Sequence, residues 1–285
     1  MSITRLDIYN VANYVDKKTF MSKSTAEIHK LYQFEKSKLP LHGIAVDYQK
    51  GHIIAAHKHN HSAQLMYSIS GTLLIETQTG RWLVPPNRAV WLGAGEEHCV
   101  IMRTRTQVRS LLVKATVIDS ILPNNSFVIN VTPLLKELIK AATSLPINYT
   151  TDKRANLLVG LLLEELKHHH TLKLLLPWPK EARYQNVCEY LTHHLTDSRP
   201  IAQWANELHI SAKTFERQFV QLTGISFGKW RQQARLLYSI EALNEGRPIT
   251  DIAFNYGYNS HSAYSAAFKA FFGQCPSDFM KENSG

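Results

Sequence analysis

Two histidines separated by one residue are followed by a glutamine and, later, by a third histidine. The pattern is Gly51-x5-His57-x-His59-x4-Gln64-x6-Gly71, then Gly95-x-x-His98. Residues two apart on a strand share a face, and imidazole nitrogens are good ligands for divalent metals. Three chemistries fit. A divalent metal could be held by His57, His59 and His98, with Gln64 or water completing the set. The histidines could instead line a metal-free pocket and hydrogen-bond an organic effector. They could also form a satisfied polar cluster that binds nothing. His61 lies two residues from His59 as well, so spacing alone leaves the pairing ambiguous.

A second group of candidates lies in an internal repeat after Arg199. In the first unit Ile201, Trp204, Ala205 and Leu208 recur at helical spacing, a turn follows at His209-Ile210, and Ser211 opens a second helix with Phe215, Phe219 and Leu222 inside. In the second unit Ile249, Ile252, Ala253 and Tyr256 precede a turn at Gly257-Tyr258, and Ser260 opens a helix with Tyr264, Phe268 and Phe271 inside. Gly224 and Gly273 end the second helices, where a left-handed cap favours glycine. Ala205 and Ala253 fit the close crossing of two steeply packed helices, Gly257 fits the turn, and His209 in the equivalent place is expected to adopt a left-handed backbone. Subtracting the core leaves Lys213, Thr214, Arg217, Gln218 and Gln221 outside on the first candidate recognition helix. Asn259, Ser260, His261, Ser265 and Lys269 remain on the second. Arg and Lys read guanine, and Asn and Gln read adenine, through paired hydrogen bonds in the major groove. The same side chains also serve for phosphate contact. Between the units, Phe227 to Leu243 reads as a helix spanning on the order of 25 Å, a stiff connector that could place two helices in successive grooves about 34 Å apart.

The elements that must position these residues change character along the chain. Residues 38–115 carry short runs of β-branched, aliphatic and aromatic residues, among them Ile44-Ala45-Val46, Leu65 to Ile69, Thr72 to Ile75 and Val108 to Val113. Turn signals at Gly51, Gly71, Gly80, Pro85-Pro86-Asn87 and Gly93-Ala94-Gly95 separate them, the mark of a small barrel or sandwich. Residues 1–37 read as an N-terminal extension and 116–180 as a helical linker or dimerisation region. Thr132-Pro133 reads as a helix start. Leu157, Leu158, Leu161, Leu162 and Leu166 are expected on one helix face, for packing within the chain or for pairing with a second copy into a homodimer. The stiff stretch Leu176-Pro177-Trp178-Pro179 marks the boundary with residues 181–285. The run His168-His169-His170 has no assignable partner ligand and reads as a solvated helix end.

The 285 residues carry a formal net charge of +9, yet the acidic and basic residues from Glu181 onward balance. Net charge alone is therefore weak support for nucleic-acid binding, although a neutral segment can segregate its charges. No apolar run reaches the roughly 18 residues of a membrane span, and the N-terminus lacks a signal peptide's apolar block. Cys99, Cys188 and Cys275 are scattered and odd in number. A reducing cytoplasm, with neither a disulfide framework nor a zinc finger, is the expectation.

The stretches Ser226-Phe-Gly-Lys-Trp-Arg-Gln-Gln-Ala-Arg-Leu-Leu, Ile249-Thr-Asp-Ile-Ala-Phe-Asn-Tyr-Gly-Tyr-Asn-Ser-His-Ser-Ala-Tyr and Ala267-Phe-Lys-Ala-Phe-Phe-Gly-Gln-Cys-Pro-Ser resemble the AraC/XylS family of transcription regulators over about Glu181 to Phe279. Tyr264 stands where phenylalanine is usual and Lys269 where arginine is common. The resemblance implies a two-unit domain that binds double-stranded promoter DNA, usually beside RNA polymerase. The histidine pattern resembles the two cupin motifs, in which two histidines, an acid and a later histidine converge on one metal. Here Gln64 replaces the usual glutamate, and Asn87 and Gly93 stand where a glycine and a proline are usual. The segment Gly80-Arg-Trp-Leu-Val-Pro-Pro-Asn-Arg-Ala-Val-Trp-Leu-Gly-Ala-Gly-Glu-Glu-His resembles the sensor barrel of one branch of the regulator family. The expected fold is an α+β multidomain chain: an N-terminal cupin-like β-barrel, a helical linker and a C-terminal all-α domain with two helix-turn-helix units. The expected function is transcription regulation, not catalysis, under control of a small molecule or metal in the barrel. The rivals are a cupin enzyme, such as a metal-dependent dioxygenase or isomerase, carrying an all-helical interaction domain with the same packing, against which Gln64 counts, and a non-catalytic metal buffer.

Overall fold

The computed structural model describes residues 34, 37, 39–118 and 122–283. Of the N-terminal extension expected over 1–37, all but Phe34 and Ser37 lie outside the described residues. The strands β1 (Leu41–Tyr48), β2 (Ile53–His57), β3 (Ser62–Ser70), β4 (Leu73–Thr77), β5 (Gly80–Val84), β6 (Arg88–Leu92), β7 (His98–Met102) and β8 (Thr106–Lys114) are followed by a single helical turn, α1 (Ala115–Ile118), and by β9 (Phe127–Asn130). Helices α2 (Pro133–Ala142) and α3 (Lys153–Lys167) come next, then β10 (Thr171–Leu172) and β11 (Leu175–Pro177).

These strands make two antiparallel sheets, ordered β1-β8-β3-β6-β9-β10 and β11-β5-β4-β7-β2. The period-2 alternation of strand side chains divides their apolar residues. Met66, Val90, Leu92 and Val108 of the first sheet share one core with Leu73, Ile75, Trp82, Val84, Val100 and Met102 of the second. On the first sheet's other face, Ala63, Leu65, Tyr67, Ala89 and Trp91 pack with Leu135, Ile139, Val159 and Leu162 of α2 and α3. The sheets continue past residue 115, where the sequence reading closed the barrel. Apolar β9 pairs with β6, β10 pairs with β9, and β11 pairs with β5. Leu176-Pro177, expected to lie in a stiff break, is thus an edge strand, a position that tolerates proline.

Helix α2 begins as expected: the Thr132 hydroxyl accepts from the Leu135 amide and Pro133 occupies the first turn. Asp152 caps α3 in the same manner. The expected leucine face of α3 divides. Ala155, Val159, Leu162 and Leu166 are buried, whereas Leu157 is 65% and Leu161 45% exposed. Leu157 and Leu161 lie one turn apart on a different arc of the helix from Leu162 and Leu166, so packing on one sheet cannot cover all of them. Of the histidine run, His169 stacks on Phe127 at 4.7 Å and His168 lies exposed at the helix end.

The remainder is helical: α4 (Ala182–His193), α5 (Ile201–Glu207), α6 (Ala212–Thr223), α7 (Phe227–Asn244), α8 (Ile249–Asn255), α9 (His261–Phe272) and α10 (Pro276–Asn283). The pairs α5/α6 and α8/α9 are the two helix-turn-helix units, and α7 joins them. Ser211 and Ser260 cap α6 and α9 through the Thr214 and Ala263 amides, and Gly224 and Gly273 end them in left-handed conformations. In the first unit's turn His209 adopts φ 55°, as its position requires. In the second unit Gly257 is doubly constrained: its φ is 78°, and a Cβ there would fall 2.7 Å from the Arg235 guanidinium carbon. Among the described residues no helix is long and apolar enough to cross a membrane.

That arginine spans three segments. From α7 it donates to the carbonyls of Leu195 at 2.8 Å, Asp197 at 2.9 Å and Gly257 at 3.0 Å, tying the end of α4 to the turn of the second unit. Hydrogen bonds from a charged donor each contribute about 1.5–3 kcal/mol. Arg235→Ala should therefore destabilise the helical region by about 2–3 kcal/mol, given that water reaches some of the freed carbonyls. Arg235→Lys should recover little, because an ammonium lacks the planar fork that serves three acceptors at once. Urea unfolding of both variants checks this.

Candidate nucleic-acid interface and barrel pocket

The first recognition helix is set by aromatic packing. Phe215 and Phe219, fully buried, meet Tyr184 of α4 and Phe227 of α7 at ring separations of 5.1–6.1 Å. Their anchoring turns Lys213, Arg217 and Gln221 outward, where all three are exposed. Thr214 is half-buried, and its hydroxyl lies 2.9 Å from that of Ser211. Gln218 departs from the expectation. Its side-chain carbonyl accepts from the Tyr184 hydroxyl at 2.7 Å and from Arg183 at 3.2 Å, so it faces α4 and its acceptor is already engaged. Leucine and phenylalanine spacing alone could not reveal that the tyrosine of a preceding helix would reach it.

On α9, Tyr264 and Phe268 are buried, and the Tyr264 hydroxyl lies 2.8 Å from that of Ser239 on α7. Asn259, His261 and Lys269 are exposed, and Ser265 is half-buried. Ser260 is exposed, but its hydroxyl accepts the Ala263 amide as the cap. Ser262 and Ala266, not singled out from the sequence, are exposed on the same helix.

The three histidines of the N-terminal pattern do come together. His57 at the end of β2 and His98 at the start of β7 are direct partners across the antiparallel pair. Their rings lie 4.3 Å apart by centroid, and His59 lies 5.2 Å from His57 and 6.0 Å from His98. The Gly95 amide donates to the His59 carbonyl at 2.9 Å, which pins the loop carrying His59 against the turn before β7. One ring nitrogen from each of His57, His59 and His98 falls in a cluster no wider than 4.8 Å.

The tautomers follow from the partners. His57 Nδ1 lies 2.9 Å from the Ala55 carbonyl and His98 Nδ1 lies 2.9 Å from the Glu96 carbonyl. A carbonyl only accepts, so Nδ1 carries the proton in both rings. Burial, partly opposed by the Glu96 carbonyl, lowers the His98 pKa to about 4. Burial and then His57 lower that of His59 to about 4. His98 Nε2 is therefore a lone pair, and it is buried with no hydrogen-bond partner.

Gln64 stands on β3 in the opposite sheet. Its amide donates to Ser110 at 2.9 Å, while its buried Oε1 has no hydrogen-bond partner. His61 is exposed and is not part of the cluster. Glu96, whose backbone carbonyl faces His98 Nδ1, also has a buried carboxylate oxygen with no hydrogen-bond partner.

Comparison with known proteins agrees with the helical repeat. The family model described as "Helix-turn-helix domain" matches residues 204–282. The HTH-type transcriptional regulator NimR of Escherichia coli is 27% identical over 228 residues, 79% of this chain and 81% of that protein. The regulatory protein SoxS of Salmonella typhimurium is 31% identical over 96 residues, 33% of this chain and 90% of that protein. The arabinose operon regulatory protein of Escherichia coli is 32% identical over 126 residues, which cover 44% of this chain and 42% of that protein. The chain belongs to the AraC/XylS family of DNA-binding transcription regulators.

Proposed function

We propose that this regulator binds paired promoter sites as a homodimer, and that a divalent metal held by His57, His59 and His98 controls that binding. The observation that carries the metal is the convergence of three imidazole nitrogens within 4.8 Å, with His98 Nε2 buried and unpartnered. A buried lone pair without a donor, as at His98 Nε2, is unfavourable. A cation is the simplest group that nitrogens from all three could ligate at once, and it would supply positive charge without needing a proton. The Nδ1 bonds to backbone carbonyls orient His57 and His98 in the manner of ligands braced from behind. Gln64 Oε1 is a neutral acceptor, so a borderline metal that favours nitrogen suits the site better than calcium or magnesium. The reading is of a cytoplasmic regulator acting beside RNA polymerase, as its family does, and not of an enzyme.

DNA reading is assigned to Lys213, Arg217 and Gln221 on α6 and to Asn259, His261 and Lys269 on α9. Thr214, Ser260 and Ser265 serve as flanking phosphate contacts. Arg217→Ala should weaken promoter binding by about 1–3 kcal/mol if the guanidinium reads a base. Gln218→Ala should instead cost about 1 kcal/mol of stability, with the order of preference among promoters retained. Gel shifts with wild-type and base-substituted promoters, together with urea unfolding, separate the two outcomes.

His57→Ala and His98→Ala should each abolish metal binding, measured by calorimetry with zinc or nickel ions, and with it the change in promoter affinity. A chelator should reproduce the loss in the wild type. A response that survives chelation but not these substitutions would point to an organic effector. Since the folded pKa values of His59 and His98 lie near 4, below the free value, both remain in the ligating form at pH 6. Metal binding should persist at pH 6 and decline as protons compete towards pH 4.

Dimerisation is assigned to α3. Leu157 and Leu161 are exposed on either side of Gly160, whose Cβ position is open. Leu157→Glu combined with Leu161→Glu should convert a dimer into a monomer by light scattering at micromolar concentration. A monomeric wild type, both alone and on its promoter, would refute this assignment.

A further inference from the structure

The sheet that carries the histidine pocket on one face meets the DNA-binding helices on the other. Along β7, His98, Val100 and Met102 alternate with Cys99 and Ile101, and Arg103 follows directly. Arg103 reaches Glu241 of α7 with two hydrogen bonds, 2.7 and 3.3 Å long, and its guanidinium lies 5.1 Å from the Tyr238 ring centre. On β5, Arg81 is paired at 2.7 Å with both Glu76 of β4 and Glu189 of α4, and stacks 3.6 Å over Trp178. Arg81 is only 11% exposed. Nearby, Trp230 of α7 donates to the Pro177 carbonyl of β11 at 2.7 Å. The outward residues of α6 and α9 are left uncovered, so this contact does not block the DNA-reading face.

We propose that Arg103–Glu241, backed by Arg81–Glu189, is a charge latch that docks the helix joining the two DNA-reading units onto the back of the pocket sheet. Strand β7 links the two ends of the device. A shift of His98 at its start is carried along a hydrogen-bonded strand to Arg103 at its end, and from there to α7. Because the reading faces stay open, the latch sets where the two units are held and not whether they are accessible. Its effect belongs on the response to the pocket ligand and on paired sites, not on affinity for a single site. That last consequence rests on metal control of DNA binding, whereas the docking itself does not.

The test uses the full chain with Arg103→Glu, Glu241→Arg and the combined swap. Docking is read by the rate of tryptic cleavage at Lys180, between β11 and α4, where separation of the two parts frees the backbone to enter the protease. Each single variant places like charges face to face and should be cleaved on the order of tenfold faster. The swap should return close to the wild-type rate, which a merely misfolded variant would not do. Equal rates in all four proteins, or no recovery in the swap, would overturn the latch. The second readout is promoter affinity with and without zinc ions. A wild-type response, of the order of 5- to 150-fold for coupled sites, should vanish in the single variants and return in the swap, with affinity for a single half-site unchanged throughout. If the wild type shows charge-dependent cleavage but no response to zinc, metal control fails and the latch stands. If the response to zinc is present and insensitive to both single variants, the latch is wrong as a transmitter and metal control stands.

Discussion

Helix α7 buries a stripe along its first half and nearly its whole circumference from Leu236 to Leu243. Phe227, Trp230, Ala234, Leu236, Leu237, Tyr238, Ile240, Ala242 and Leu243 are all at most 5% exposed. No single neighbour can cover residues spread over so many directions, so a helix buried on several faces has to be enclosed by several elements. Three do so here. The aromatic pair of α6 meets Phe227 and Trp230, the hydroxyl of Tyr264 on α9 meets Ser239, and β11 takes the indole of Trp230. Each large apolar side chain so buried contributes about 1.5–3 kcal/mol. The relative placement of the two DNA-reading units is thus a by-product of satisfying one helix, and Arg235 on that helix fixes what apolar contact leaves free to slide.

The same economy of position governs the sheet beneath it. Strand alternation puts successive side chains on opposite faces, so a strand five residues long can serve a histidine cluster and a domain contact at once. On β4 and β5 the inward Leu73, Ile75, Trp82 and Val84 fill the space between the sheets, while Glu76 and Arg81 stand at the other face. Glu189 of α4, which also pairs with Arg81, is strongly shifted. Burial raises the Glu189 carboxyl, and His193 and Arg81 more than reverse this, holding it at about 2. The carboxylate therefore stays ionised across the physiological range, as a permanent ion-pair partner should.

What could be read from the sequence was whatever is local. The repeat after Arg199 is visible because helical period, serine caps and terminal glycines all act within a few residues. The left-handed His209 followed from its place between two steeply crossing helices. The histidine cluster was legible as a set of types and spacings, although its closure depends on β2 pairing with β7 in one register, a contact between residues about forty apart. Long-range partners account for the rest. Gln218 was assigned to DNA because nothing near it in sequence announces Tyr184. The leucines of α3 were placed on one face because five leucines fit a broad stripe, but the sheet offers only a flat surface to bury against. Strands β9 to β11 were hidden because short segments that pair with distant ones carry too few residues to show alternation.

The charge distribution, neutral over the DNA-binding region taken as a string, resolves in three dimensions. Its acids are largely occupied. Asp197 and Glu207 hold Arg199, Glu181 holds Arg183, and Glu245 holds Arg247. Two further acids, Glu189 and Glu241, are neutralised by Arg81 and Arg103 from the strand domain. Lys213, Arg217 and Lys269 make no ion pair among the described residues and face outward. The positive excess that the sequence places upstream therefore acts in part by cancelling negative charge on the helical side, away from the reading face. A protein approaching a polyanion gains when cations stand unpaired where contact is made, and here six of the carboxylates that would oppose that attraction are already paired with arginines.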